Sequence, residues 1–146
     1  MDTIKMLREE TGLSFAQIKK ALEEAGNDVE KAREVLRSYS AAQADKKADR
    51  EVVAGTVASY IHSTGMMGAM VTLCCETDFV SNNPEFKTLA NDIAMHVAAM
   101  GNDNLEEVMS EQFVKDSTVT ILELINGAIQ KFGENIKLTK IVRFAI

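Results

Sequence analysis

The chain has 146 residues, of which 46% are hydrophobic, and its formal net charge is −6. A chain of this length and apolar content can bury a sizeable core, so it fits one domain or a small module attached to a larger one and is neither disordered nor fibrous. Acidic side chains outnumber basic ones in residues 52–146. Binding of nucleic acid is therefore not expected, since phosphate contacts need clustered Lys and Arg.

No apolar run reaches the roughly 18 residues of a membrane helix, and the amino-terminal stretch is polar and amphipathic, so we expect a cytoplasmic protein without membrane contact. Cys74 and Cys75 are adjacent in a predicted strand, where successive side chains point to opposite faces. We therefore expect buried, reduced thiols rather than a disulfide or a shared metal. The sequence has no metal-ligand spacing and no phosphate-binding glycine loop, so neither a metal nor a cofactor is predicted.

Residues 1–39 have the pattern of a compact three-helix module. Gly12 ends the first amphipathic helix, Ser14-Phe15-Ala16-Gln17 has the pattern of a capping box, and Asn27-Asp28 is typical of a third helix start. Residues 40–52 are rich in Ala and in charged side chains, which predicts a solvated linker helix and a domain boundary.

Residues 53–146 begin with the pattern of a hairpin. Val53–His62 and Ala69–Cys75 predict two strands joined by a glycine-containing connection. Asn83-Pro84 is a strong helix start, since Asn caps and Pro prefers the first helical position. The apolar stripe that follows predicts a long amphipathic helix, which Gly101 ends.

The remaining residues predict a helix and a strand. Residues 102–115 are polar and predict a loop or one short helix, whereas apolar residues from Val119 predict an amphipathic helix that Gly133 ends. Residues 136–146 alternate with period two, except at Lys140 and Ile141, and predict a third strand. We therefore expect an α+β domain with a three-stranded, antiparallel sheet that helices cover on one face.

An acid and an aromatic residue, Asp78 and Phe79, stand where the second strand ends and before the helix from Pro84. Phe79 either packs under that helix or is presented to another protein, and Asp78 either forms a turn or takes part in the same contact. Lys19-Lys20 has two interpretations as well, a partner-binding face or ordinary solvated surface. Spacing alone leaves these alternatives open.

Catalysis is not expected from this sequence. His62 and His96 each stand alone, and an ordinary core or surface histidine accounts for both. An enzyme would need these rings to converge with a thiol, and no nucleophile motif surrounds any Ser or Cys.

Three segments, taken in order, resemble the elongation factor Ts family. Thr11–Ala32 is similar to the family's amino-terminal module of the ubiquitin-associated type. Tyr60-Ile61-His62 and Cys75–Phe86, running on to His96, are similar to its core signature. Its carboxy-terminal end is resembled by three short motifs, with Ile129 between the first two: Phe113-Val114-Lys115-Asp116, Gly133-Glu134-Asn135-Ile136 and Arg143-Phe144. The similarity spans nearly the whole chain.

The resemblance implies a guanine-nucleotide exchange factor that binds GDP-bound and nucleotide-free elongation factor Tu and promotes GDP release by displacing magnesium. The residues that it implies for insertion near the magnesium site are Thr77, Asp78, Phe79 and Val80. Those implied for a second contact are Phe15, Ile18, Lys19 and Lys20. The helix that contains His96 would support the inserted segment or touch the phosphate loop of the GTPase.

The family pattern also contains a part that this chain lacks. Most members have two related subdomains in the core, whereas here residues 102–112 join the signature helix almost directly to the last motif. We therefore expect a homodimer in which two chains replace the two subdomains. A competing interpretation is a peptide- or ubiquitin-binding adaptor that uses residues 1–40.

Overall fold

The structure is a computed structural model that describes residues 2–146. Within these residues the chain forms an α+β fold, as the sequence predicts. The elements are α1 (Asp2–Thr11), α2 (Phe15–Glu24), α3 (Val29–Lys47), β1 (Ala54–Ile61), β2 (Met67–Cys75), α4 (Asp78–Ser81), α5 (Pro84–Met100), α6 (Leu105–Ser110), β3 (Gln112–Phe113), β4 (Asp116–Thr120), α7 (Ile121–Phe132) and β5 (Ile136–Ala145).

The first three helices pack around a small core of their own. The predicted capping box of α2 is present: the Ser14 side chain accepts a hydrogen bond from the Gln17 backbone N–H, and the Gln17 side chain accepts one from the Ser14 backbone N–H. The buried side chains of this core are Leu7, Leu13, Ile18, Ala21, Leu22, Ala32 and Leu36.

Helix α3 is longer than predicted. The third helix and the first part of the predicted linker helix form one continuous helix to Lys47, because the Ala-rich stretch has high helix propensity and contains no breaker. Its buried Ser40 donates a hydrogen bond to the Gln130 side chain of α7, so this part of the linker is packed rather than fully solvated. The domain boundaries at residues 39 and 52 stay predictions.

The central sheet has the strand order β1-β2-β5 with both pairings antiparallel, which confirms the predicted three-stranded sheet. Helix α5 packs across β1 and β2. Val71, Leu73 and Cys75 point to the covered face and are buried, as their alternation in the sequence predicts. The opposite face, here called the open sheet face, is exposed at Val57, Ile61, Met70, Val142 and Phe144.

A β-bulge in β5 explains the break in the period-two pattern. Thr72 pairs with Lys140 but the next residue of β2 pairs with Leu138, which leaves Thr139 as the extra residue. The bulge reverses the alternation, so Leu138 is buried whereas Val142 is exposed. The break at Lys140 and Ile141 in the sequence pattern thus corresponds to this bulge, and the predicted third strand is confirmed.

The long helix α5 begins and ends where the sequence predicts. The Asn83 side chain accepts a hydrogen bond from the Glu85 backbone N–H at 2.8 Å, and Gly101 ends the helix with a φ of +79°, a left-handed conformation that favours glycine. Between residues 2 and 146 no helix has the length and apolarity that crossing a bilayer requires.

The region before the last helix contains a hairpin that the sequence did not reveal. Strands β3 and β4 form a second, two-stranded sheet. Because Val119 belongs to β4, α7 begins two residues later than predicted, behind a capping box of Thr120 and Glu123. Gly133 ends α7 with a φ of +75°, as predicted.

Candidate functional site

The segment singled out by the sequence forms a single helical turn directly after β2. We call residues 77–81, which comprise Thr77 and α4, the exposed turn. Thr77 occupies the N-cap position with extended backbone angles, but its side chain makes no cap hydrogen bond. Its hydroxyl donates instead to Glu134 Oε2 at 2.6 Å. The turn is therefore fixed by a contact outside itself.

Phe79 points away from the protein. Its side chain is 92% exposed, and Asp78 before it is exposed as well. Val80 and Ser81 are buried and attach the other side of the turn to the core. The interpretation in which Phe79 packs under the helix from Pro84 is thus wrong.

Another aromatic residue occupies the position under α5. Phe86 is fully buried, and its ring centroid lies 6.3 Å from that of Phe132 in an edge-to-face arrangement. Because Phe86 already fills this part of the core, Phe79 is not needed there. An exposed aromatic ring of this size on a fixed turn is a feature typical of a protein-binding surface.

Glu134 contacts the start of the exposed turn through both of its oxygens. Oε1 accepts hydrogen bonds from the backbone N–H groups of Glu76 at 3.1 Å and Thr77 at 2.9 Å, in addition to the Thr77 hydroxyl bond to Oε2. Hydrogen bonds to an ionised carboxylate are stronger than neutral ones. Glu134 therefore orients the backbone that carries Asp78 and Phe79.

Asn135, next to Glu134, extends this network to the chain just beyond α3. Its backbone N–H donates to Glu76 Oε2 at 2.6 Å, and its buried side-chain amide donates to the carbonyls of Arg50 at 2.8 Å and Ala48 at 3.4 Å. The Arg50 guanidinium also lies 3.5 Å from Glu76 Oε2. The turn, the start of β5 and the chain after α3 are therefore connected.

Sequence reasoning missed the roles of Glu134 and Asn135. The available signal was the antiparallel register: Cys75 at the end of β2 pairs with Ile136 at the start of β5. This pairing places the residue after Cys75 opposite the residue before Ile136. Polar side chains at that point can bind the free backbone groups of the turn.

Cys75 is buried below the turn, and its thiol lies 3.3 Å from the Thr77 carbonyl oxygen, to which it can donate. Burial raises the pKa of the Cys75 thiol, and the nearby Glu134 carboxylate raises it further. Both cysteines are free thiols. Cys75 is buried, as the sequence predicts, whereas Cys74 is only partly buried because its side chain lies on the open sheet face, so the prediction of a buried thiol is wrong for Cys74. In residues 2–146 no group of three or more His, Cys, Asp or Glu side chains could hold a metal ion.

Among the predicted site residues of the first module, Phe15, Lys19 and Lys20 are exposed whereas Ile18 is buried. Phe15 is 46% exposed and, with Ile4, Lys5, Arg8 and Leu13 among others, lines a groove of about 450 Å³ between α1 and α2.

Ile18, by contrast, is fully buried in the core of the module, so its side chain can contribute to a contact only through packing. Lys19 and Lys20 are exposed. Lys20 Nζ lies 5.7 Å from the centre of the Tyr39 ring, within cation–π range. The structure does not bring these residues together with the exposed turn, because Val80 of the turn packs in a separate core that the sheet and α5 form.

His96 is fully buried on α5. Its Nδ1 accepts a hydrogen bond from the Val114 backbone N–H at 3.0 Å, so the proton lies on Nε2, which is 3.0 Å from Glu111 Oε1. The ring also lies 6.1 Å from that of Phe113. His96 therefore joins α5 to the β3–β4 hairpin and has no surface for direct contact with a partner.

The three groups of the enzyme interpretation have separate partners. His62 Nδ1 lies 3.3 Å from the Tyr60 hydroxyl, His96 contacts Glu111, and the Cys75 thiol contacts Thr77. No hydrogen bond within the described part of the chain joins any two of the three.

Comparison with known proteins identifies relatives over the whole chain. The family model for Elongation factor TS matches residues 76–146, which include the exposed turn and the Glu134 network. The chain is 37% identical to the elongation factor Ts of Thermosipho melanesiensis, and the alignment covers 98% of this chain and 96% of that protein. With that of Thermotoga petrophila the identity is 35%, with coverage of 100% and 95%.

The relatives also show that this chain is shorter than they are. It is 41% identical to the elongation factor Ts of Aquifex aeolicus over 99% of its own length, but it spans only 51% of that protein. The alignment with the Thermosipho protein extends over 188 residues, more than the 146 of this chain. That relative thus has residues inside the aligned region that are absent here. The chain belongs to the elongation factor Ts family of translation elongation factors, as a shortened member.

Proposed function

We propose that this chain is a guanine-nucleotide exchange factor for elongation factor Tu. The observation that carries the proposal is the 92% exposed ring of Phe79 on a turn that Glu134 and the buried Val80 fix in place. Exchange requires no bond to be made or broken by the factor, so the chain acts as a binding protein and not as an enzyme.

The free-energy requirement for exchange is simple. The factor must bind the nucleotide-free GTPase more tightly than the GDP-bound form, and thermodynamic linkage then requires it to weaken GDP binding by the same factor. A GTPase holds its nucleotide through the phosphate-binding loop and through a magnesium ion that bridges phosphate oxygens. A contact that displaces the groups supporting this ion meets the requirement.

The exposed turn supplies that contact in our proposal. Phe79 inserts beside the magnesium site of the GTPase and acts as an aromatic anchor. Burial of its ring is favourable only when that site has opened. Asp78, exposed beside it, adds an electrostatic contact. Thr77 and Val80 are engaged within the chain, through Glu134 and the core respectively, and they orient the insertion rather than enter it.

The first module supplies a second contact. Phe15 and the groove beside it, together with the exposed Lys19 and Lys20, bind another patch of the same GTPase, while Ile18 supports them from the core. Two contacts on one chain raise the effective concentration of each at its target. The helix that contains His96 supports the core from within.

The open sheet face supports a homodimer. Phe144 is 73% and Ile61 68% exposed, and with Met66, Met70 and Ile146 among others they line an apolar groove of about 200 Å³. Contiguous apolar surface of this kind marks an interface. The segment that longer relatives carry and this chain lacks makes a second copy the proposed occupant. A solution mass of one chain at micromolar concentration and above would remove this part of the proposal.

Release of a fluorescent GDP analogue from elongation factor Tu tests the exchange activity. We expect the release rate to rise with the concentration of this chain and to reach a plateau. We also expect excess magnesium to oppose the effect, since the ion and the inserted turn compete for the same region. A release rate independent of the chain would contradict the proposal.

The adaptor interpretation keeps one supporting observation, the groove of about 450 Å³ beside Phe15. It differs from the exchange proposal in the role of the turn. An adaptor that uses the first module binds its target equally well with or without the Phe79 ring, whereas an exchange factor does not.

A further inference from the structure

We propose that Glu134 is a positioning residue for nucleotide exchange: it fixes the exposed turn so that Phe79 meets the GTPase in one orientation. This inference rests on the proposed exchange function. The hydrogen bonds of Glu134 go to Glu76 and Thr77 and not to Phe79, and its side chain is only partly exposed on the segment between α7 and β5.

The geometry shows how much of the turn depends on this one carboxylate. Glu134 accepts hydrogen bonds from the backbone N–H groups of Glu76 and Thr77 and from the Thr77 hydroxyl, at 3.1, 2.9 and 2.6 Å. These donors precede α4, whose first N–H groups have no side-chain cap. Without Glu134 the backbone N–H groups of Glu76 and Thr77 would have only water as a partner.

The turn cannot maintain this orientation alone. A helix of four residues is far below the length at which an isolated helix is stable in water. Val80 and Ser81 are buried at its far end, which fixes the turn at one end only. The exposed ring of Phe79 makes no packing contact that could replace the hydrogen bonds at the other end.

The same segment also connects the turn to the chain at the end of α3. Asn135, the neighbour of Glu134, donates to the carbonyls of Ala48 and Arg50 just beyond α3. Glu76 receives the Asn135 backbone N–H and lies 3.5 Å from the Arg50 guanidinium. Residues 134 and 135 therefore fix the direction of Phe79 relative to the helix that leads to the second proposed contact.

The test compares Glu134→Ala with Glu134→Gln in the full chain. Alanine removes all three hydrogen bonds, whereas the glutamine amide oxygen can still accept both backbone bonds and its NH₂ can donate to the Thr77 hydroxyl. Glu106→Ala is the matched control, because Glu106 is an exposed carboxylate on α6 with the same charge. Two quantities are measured: amide hydrogen exchange of residues 76–80 in the free chain, and GDP release from elongation factor Tu over a range of chain concentrations.

We expect Glu134→Ala to exchange the amides of residues 76 and 77 faster and to lower the maximal GDP-release rate about tenfold, the effect of one charge-assisted hydrogen bond. The concentration giving half-maximal release should change little, because the first module still binds. In Glu134→Gln the amide exchange rates and the maximal GDP-release rate should both be close to those of the unsubstituted chain. Glu106→Ala should match the unsubstituted chain.

Amide exchange unchanged in Glu134→Ala, or a maximal rate equal to that of the unsubstituted chain, would overturn the inference. So would a Glu134→Gln variant as slow as Glu134→Ala, since charge rather than positioning would then matter. If the unsubstituted chain itself fails to release GDP, the exchange function is wrong. Amide exchange in the free chain then decides separately whether Glu134 fixes the turn.

Discussion

Substituting Phe79 by alanine separates the exchange role of this residue from any role in folding. The side chain is 92% exposed and packs on nothing in the core. We therefore expect Phe79→Ala to change the free energy of unfolding by less than about 0.5 kcal/mol, as is usual for surface substitutions. Thermal unfolding followed by circular dichroism measures this directly.

The expected loss of exchange is much larger. If the ring is buried against the GTPase in the transition state for GDP release, its removal forfeits about 2 kcal/mol of apolar burial, which corresponds to about a thirtyfold slower release. Stopped-flow release of fluorescent GDP, at a saturating concentration of the chain, gives the rate. The release rate with Phe79→Leu should lie between the rates with the unsubstituted chain and with Phe79→Ala, because leucine keeps part of the apolar contact.

Leu122→Ala is the matched control, since Leu122 is 47% exposed on α7 and belongs to neither proposed contact. It should release GDP as fast as the unsubstituted chain. Undiminished stimulation by a correctly folded Phe79→Ala variant would refute the reasoning. An equal loss in Leu122→Ala would show that any exposed apolar residue matters, which would refute it too.

Three further results are expected. Asn135→Ala removes the donor to the carbonyls of Ala48 and Arg50, so urea unfolding should show a loss of about 1–3 kcal/mol; an unchanged midpoint would contradict this. Burial raises the pKa of the Cys75 thiol. The protonated thiol therefore contributes fully to the free energy of unfolding below the unfolded pKa of about 8.5, and this contribution declines as the pH rises towards the pKa of the thiol in the folded chain. Cys75→Ala should reduce the alkaline fall in melting temperature, and identical pH profiles would disprove that. On the open sheet face, Phe144→Lys should convert a dimer into a folded monomer in mass measurements, and an undiminished dimer would exclude this face as the interface.

The elements that the sequence predicts well are those with local causes. The capping box at Ser14, the Asn83 cap and the left-handed glycines at 101 and 133 determine helix ends through residues only a few positions apart. The burial of Val71 and its neighbours likewise follows from simple alternation in one strand. These features require no knowledge of distant contacts.

The features that escaped prediction depend on residues far apart in the chain. The bulge at Thr139 exists only in the pairing of β5 with β2. The predicted linker helix is packed at Ser40 and not solvated there, because Ser40 bonds to Gln130 of α7, ninety positions away. Long-range contacts of this kind have no periodic signal in a single sequence.

The candidate site has features of both kinds, some with local causes and some that depend on residues far apart in the chain. Spacing singled out Asp78 and Phe79 but could not decide whether the ring is buried, because that depends on Phe86 already filling the space under α5. Glu134 belongs to the motif Gly133-Glu134-Asn135-Ile136 that resembles the family, but its role at the turn follows only from the strand register. His96 was predicted from resemblance alone, and its burial limits it to the interior of the core.

The most direct test of the exchange proposal is a comparison of affinities by isothermal titration calorimetry. The dissociation constant of this chain is measured for nucleotide-free and for GDP-bound elongation factor Tu, and that of GDP for the GTPase with and without the chain. The proposal predicts tighter binding to the nucleotide-free form and, by linkage, an equal factor by which the chain weakens GDP binding. Equal affinity for the two forms of the GTPase would contradict it.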